Sequence, residues 1–188
     1  WVSTNTSIAS ADPQKHLITL DIISDFPSNQ KDDSFWMKEA FKLSEKAFSK
    51  KEVPVGAVVV LHDRIIGKGY NQVDSLGDPT AHAEILAITA AANTIGDWRL
   101  NNCTIYVTKE PCSMCAGAIV NSRISRVVFG VYDDDKGACG SLYQICGDKR
   151  LNSDTVIKGG VLEEQCRKIL KKFFSAMRDD WLSLLAFE

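Results

Sequence analysis

No apolar run in this chain is long enough to cross a bilayer. The longest, Val55 to Leu61, falls well short of the roughly 20 residues a membrane helix requires. The first residues show no basic segment leading into an apolar one, so no membrane association is expected. Neither sign of charge dominates, with 22 Lys and Arg against 24 Asp and Glu. That balance excludes a broadly basic nucleic-acid binder and leaves local patches to serve such a role. Cysteine is too sparse for a disulfide scaffold, at six in 188 residues, and two of the six form a metal-type pair. A reducing compartment is expected.

At 45% hydrophobic, the chain can bury one core. Residues 1–33 are polar, show no sustained period and carry two lysines against five aspartates. They read as an N-terminal extension, with the folded domain over residues 34–188. The segment 17–23 could form a short strand.

Periodicity predicts an α/β domain with a mixed sheet. Met37, Ala40, Phe41, Ser44, Ala47 and Phe48 recur at helical steps behind Ser34, a candidate N-cap. Val55 to Leu61 and Arg64 to Tyr70 are β-branched runs joined through His62-Asp63, expected as a hairpin buried on both faces. Pro79 opens a helix that Gly96 stops, Thr104 to Thr108 is a strand, and Pro111 opens a second helix to about Asn121. Arg126 to Val131 and Thr155 to Lys158 complete the strands. A last helix carries Leu162, Cys166, Ile169, Leu170, Phe173 and Met177 along one stripe.

The chemistry concentrates in two short motifs, Pro79-Thr80-Ala81-His82-Ala83-Glu84 and Pro111-Cys112-Ser113-Met114-Cys115. One imidazole and two thiolates suit Zn²⁺, and three protein ligands leave a coordination position for water. Cys112 and Cys115, three apart at a helix start, present both sulfurs to one point, and the helix dipole favours thiolate. His82 also sits near a helix start, which places Glu84 beside the ion as a proton carrier. A Cys-x-x-Cys pair alone also occurs in redox and structural zinc sites. A structural site needs a fourth ligand, and His16, His62, Cys103 and Cys139 have no paired spacing to supply one. Cys103 reads as core and His62 as a hairpin residue. The loop Gly137 to Ser141 lacks the Gly-Lys-Ser/Thr ending of a phosphate cradle. Arg167, Lys168, Lys171 and Lys172, followed by Phe173, Phe174 and Arg178, mix cations with aromatics as an RNA surface does, or form a solvated helix face.

From about Phe35 to Arg178 the chain resembles the bacterial-type tRNA-specific adenosine deaminases of the cytidine/deoxycytidylate deaminase superfamily. The resemblance runs through Val53-Pro54-Val55-Gly56-Ala57-Val58-Val59-Val60, Gly69-Tyr70-Asn71, the two zinc motifs, Ser122-Arg123-Ile124, Asp133, Lys136-Gly137-Ala138 and Gly140-Ser141-Leu142. It implies a cytidine deaminase-like three-layer α/β fold, with a central mixed five-stranded sheet flanked by helices. It also implies hydrolytic deamination of adenosine to inosine at the wobble position of a tRNA anticodon, by a homodimer holding one Zn²⁺ per chain. Water activated at the ion would attack C6 of the flipped-out adenine while Glu84 moves the protons.

By the same resemblance, Asn71 would hydrogen-bond the base, the Ala83 backbone would hold its edge, and Pro54 and Val55 would line the pocket. Asp133 would contact the ribose side, with Lys136 and Phe174 as further RNA contacts. Lys109 and the acidic run Asp133 to Asp135 depart from the family pattern. The expected location is the cytoplasm, with an organelle such as a plastid as the alternative. A guanine or cytosine deaminase, or a catalytically silent RNA-binding subunit, would share the zinc motifs.

Overall fold

The computed structural model describes residues 31–185, with side-chain surroundings for 31–178. The candidate strand over 17–23 lies outside the described residues. Helix α1 (Asp33–Ser49) is capped by Asp32, whose Oδ1 accepts the Phe35 N–H at 2.8 Å. Ser34 therefore sits inside the first turn and is not the cap. A carboxylate at the preceding residue already satisfies the free amide.

Strands β1 (Gly56–Leu61) and β2 (Arg64–Tyr70) form a hairpin whose two turn residues, His62 and Asp63, have φ of 47° and 55°. This left-handed pair gives a turn whose twist matches the strands, so His62 belongs to the hairpin tip. The expectation of burial on both faces holds for β1 but not for β2, which is an edge strand with Arg64 and Lys68 exposed. Then come α2 (Val73–Leu76), α3 (Ala83–Ile95), β3 (Thr104–Lys109), α4 (Ser113–Asn121), β4 (Arg126–Val131), β5 (Val156–Lys158) and α5 (Glu163–Leu185). Pro79 and Pro111 lie upstream of α3 and α4, not within them. His82 and Cys112 occupy the N-cap positions instead.

The sheet order is β2-β1-β3-β4-β5, with β1 antiparallel to both neighbours and β3, β4 and β5 parallel. Alternation along the central strands separates two layers. Ala57, Val59, Ile105, Val107, Val127 and Phe129 face α3 and α4, while Val58, Val60, Tyr106 and Val128 face α1. Helix α5 covers Val131 through Cys166 and Leu170. This is the cytidine deaminase-like three-layer arrangement, and each fully buried Val, Ile or Phe in it contributes about 1.5–3 kcal/mol.

Helix α3 rests unusually close to the sheet because of two glycines. A Cβ on Gly67 would lie 2.2 Å from the Ala87 carbonyl oxygen, and one on Gly69 would lie 2.1 Å from that of Ala83. Ala83, Ala87 and Ala91, one per turn and fully buried, complete the contact from the helix side. On the opposite face Asp33 ties the layers together. Its carboxylate accepts from Arg126 Nη1 and Nη2 at 2.6 and 2.8 Å, from Lys158 Nζ at 2.7 Å and from the Tyr106 hydroxyl at 3.0 Å.

Candidate active site and metal centre

The sheet gathers the site at one end of its strands. Gly56 pairs with Tyr70 and Ala57 with Val107, so the start of β1, the end of β2 and the end of β3 lie side by side. Pro54 and Val55 precede β1 and are buried, Asn71 follows β2 and donates its N–H to the Val55 carbonyl at 3.0 Å, and the Lys109 to Cys112 segment closes β3. Asp133 follows β4 at the same end, because β4 runs parallel to β3.

Against this end the N-termini of α3 and α4 meet. His82 Nδ1 lies 3.7 Å from Cys112 Sγ and 3.5 Å from Cys115 Sγ, and the three atoms fall within 4.8 Å of one another. A tetrahedral ion with Zn–S near 2.3 Å and Zn–N near 2.0–2.1 Å spaces its ligand atoms by about 3.5–3.8 Å, so the residues present fit zinc. Among the described residues, no other group of three His, Cys, Asp or Glu side chains converges in this way. The alternative fourth ligands are elsewhere. Cys103 is fully buried in the core, Cys139 Sγ contacts Cys146 Sγ at 3.2 Å, and His62 is at the hairpin tip. His16 lies outside the described residues.

The thiols are tuned against each other. A hydrogen bond from Cys115, with His82 on its other side, holds the Cys112 thiol down to about 3, whereas donation to Cys112 and burial push Cys115 upward. The hydrogen bond to Cys112 raises His82, with Glu84 adding to it. Glu84 is 4% exposed, contacts the Cys115 thiol, and is raised above the ordinary carboxyl range by burial. A buried carboxyl beside the converging His82, Cys112 and Cys115 side chains is placed to accept and return a proton.

Asn71, 7% exposed, accepts the Ala83 N–H through Oδ1 at 2.9 Å, so the Ala83 amide is engaged within the protein. Lys136 is exposed on the loop after Asp133. The basic and aromatic stretch of α5 divides between surfaces. Phe174, with Arg167, Lys171 and Arg178, lines a groove of about 430 Å³ beside Val131. Lys168 and Lys172 face Phe41, Glu45 and Phe48 of α1, and Phe173, 7% exposed, belongs to the core rather than to a surface.

Two buried carboxyl groups escape a motif reading. Glu52, 2% exposed, accepts from the Ser75 N–H and hydroxyl at 2.8 and 2.7 Å and from the Asp74 N–H at 3.3 Å, which anchors α2. Those bonds lower it below the usual range, against the opposing effect of burial. Glu110, 3% exposed, takes donors from the loop 133–141. The sequence signal for both is a lone acid set against an apolar strand beside a proline.

The sequence model of the MafB19-like deaminase family matches residues 31–178. A tRNA-specific adenosine deaminase of Bacillus subtilis is 44% identical over 146 residues, spanning 78% of this chain and 91% of its own. The chain belongs to the tRNA-specific adenosine deaminases. A second member of the family, from Haemophilus influenzae, is 46% identical over 149 residues, spanning 79% of this chain and 86% of its own. A solved structure of tRNA:A34 deaminases, studied for A-to-I editing at the wobble position, superposes with a TM-score of 0.69 at 37% identity and covers 72% of this chain and 98% of that one. A guanine deaminase from Bacillus subtilis superposes with a TM-score of 0.54 at 34% identity, over 59% of this chain and 71% of that one.

Proposed function

We propose that the protein hydrolyses adenosine to inosine at the wobble position of a tRNA anticodon. The observation that carries this reading is the convergence of His82, Cys112 and Cys115 beside the buried Glu84, in a chain that matches tRNA adenosine deaminases over nearly their whole length. His82, Cys112 and Cys115 would hold one Zn²⁺, which supplies Lewis acidity that makes water nucleophilic near neutral pH. Glu84 accepts one proton from the attacking water and passes it to the ring nitrogen, then takes the second from the new C6 hydroxyl and passes it to the amino group, which leaves as ammonia while C6 becomes a carbonyl.

Asn71 offers its amide to the base, with its oxygen already engaged by Ala83, and Pro54 and Val55 wall the pocket. Asp133 stands where the ribose enters, and Lys136 and the Phe174 groove lie along the outgoing strand as RNA contacts. Anticodon loops present bases that are already unstacked, which lowers the cost of flipping the adenine. The deaminase domain is assigned to residues 34–188, the assembly to a homodimer, and the location to the cytoplasm on the strength of the tRNA substrate. Among the described residues, no helix is long and apolar enough to cross a membrane.

Guanine is the competing substrate, given the 34% identical guanine deaminase, but that match covers less of the chain than the tRNA:A34 deaminase does. The test is incubation of zinc-loaded protein with an anticodon stem-loop carrying a wobble adenosine, read for inosine, with free guanine and cytosine in parallel. Inosine in the RNA is expected. Turnover of a free base alone would keep the zinc chemistry and overturn the substrate, and no turnover at all would point to a silent subunit.

A further inference from the structure

We propose that Glu110 is a positioning residue for the substrate, whose buried carboxyl group fixes the loop 133–141, and Asp133 at its head, against the start of α4. The proposal rests on the deaminase reading above. Each Glu110 oxygen accepts from this one loop. Oε1 takes the Cys139 and Ser141 N–H groups, both at 3.0 Å, and Oε2 takes the Asp133 N–H at 3.0 Å together with the Ser141 hydroxyl. Burying a carboxyl group is costly unless its lone pairs are met, and here one loop meets them. The loop conformation is therefore dictated by this group.

The loop is also bound to the metal-bearing segment itself. The Ala138 N–H donates to the Pro111 carbonyl at 2.8 Å, and Gly137 pairs with Cys112 as an isolated antiparallel bridge. The carboxyl also packs against Gly137, where a Cβ would lie 2.4 Å from Oε2 and 2.5 Å from the Asp133 carbonyl oxygen. Asp133 is held at both ends by consecutive residues. Glu110 takes its backbone N–H, and the Lys109 ammonium pairs with its carboxylate. The end of β3 thus sets both the placement and the aim of a group at the mouth of the site, while the same strand leads directly into the cysteine helix. None of these contacts touches the three metal-type side chains, so Glu110 governs where the RNA strand lies rather than the chemistry at the ion.

Glu110→Gln preserves volume but turns an N–H₂ group toward backbone donors. With the stem-loop substrate, zinc content should stay near one per chain, kcat should stay within about 3-fold, and KM should rise about 10-fold or more. In an Asp133→Ala background the same substitution should raise KM by less than about 2-fold, because the two act through one element. Ser141→Ala, which removes one donor and is milder, serves if Glu110→Gln fails to fold, with KM raised about 3-fold.

An unchanged KM in both variants overturns the proposal. So does a fall in kcat at constant KM, with or without loss of zinc, or a full multiplicative KM effect on top of Asp133→Ala. An inactive wild-type protein sinks the deaminase reading on which the proposal rests. An active wild type with an unmoved Glu110→Gln sinks the proposal alone.

Discussion

Asn71 Oδ1 receives the backbone N–H of Ala83 at 2.9 Å, which pins the first turn of α3 to the residue that closes β2. Because an amide hydrogen points at that oxygen, the side-chain orientation is fixed, and the Asn71 NH₂ group is the part left to meet a substrate. One side chain therefore has a structural half and, in the proposed function, a recognition half.

Two substitutions separate those halves. Asn71→Asp keeps an acceptor for Ala83 but loses the donor, so thermal stability should stay close to wild type. Asn71→Ala leaves the fully buried Ala83 amide unpaired and should cost about 1–3 kcal/mol in unfolding free energy. Both should reduce deamination of the stem-loop by about 10²-fold or more, because a pocket built to bond a polar edge discriminates strongly on that bond. Equal stability of the two variants would contradict the dual role.

Glu84→Gln should retain zinc by elemental analysis and lose about 10²–10⁴-fold in kcat, the range expected for removal of a proton-transfer group. Stability should be unchanged or higher, because a buried carboxyl that burial itself penalises is replaced by a neutral group of the same shape. Cys112→Ala should instead lose the metal, so the two variants divide proton transfer from metal binding. Residual zinc at full occupancy in Cys112→Ala would overturn the ligand assignment.

The convergence of His82, Cys112 and Cys115 was legible in the sequence because each sits at a fixed offset from a helix start, and local spacing is what sequence displays. The sheet was legible through β-branched runs bounded by turns. Helix starts were less so. Pro79 and Pro111 mark the approach to each helix, yet the N-cap positions belong to His82 and Cys112, since these cap sites are defined by extended backbone that propensity does not encode. Phe173 stood both on the apolar stripe of the last helix and in its basic, aromatic stretch, and its burial decides for the stripe. The role of Glu110 was not legible for a different reason. Its donors lie 23 to 31 residues away, and only tertiary structure brings a loop to a lone carboxyl group.

Gly69→Ala tests whether the closeness of α3 to the sheet sets the site. The new methyl would meet the Ala83 carbonyl oxygen at 2.1 Å, and backbone cannot swing aside as a side chain can. The helix start must shift, and Ala83 lies between His82 and Glu84. A loss of about 2–3 kcal/mol is expected from overpacking, with weakened zinc retention under a chelator. Gly67→Ala, which meets Ala87 one turn further on, should lose similar stability while retaining more zinc. Equal metal loss in both variants would detach the glycine contact from site geometry.

Asp33 predicts a pH-dependent stability that has nothing to do with catalysis. Its hydrogen bonds to Arg126, then to Lys158 and Tyr106, hold its carboxyl far below the ordinary range despite partial burial. A group depressed in the folded state stabilises the fold above its unfolded pKa, near 3.9, and that contribution fades as pH falls below it. The partners are partly exposed, so screening leaves about 1–2 kcal/mol of the interaction at pH 7. Asp33→Asn should therefore unfold at lower denaturant than wild type at pH 7, and the gap should narrow steadily toward pH 2. A gap that stays constant across that range would mean that Asp33 stabilises the protein by packing, not by charge.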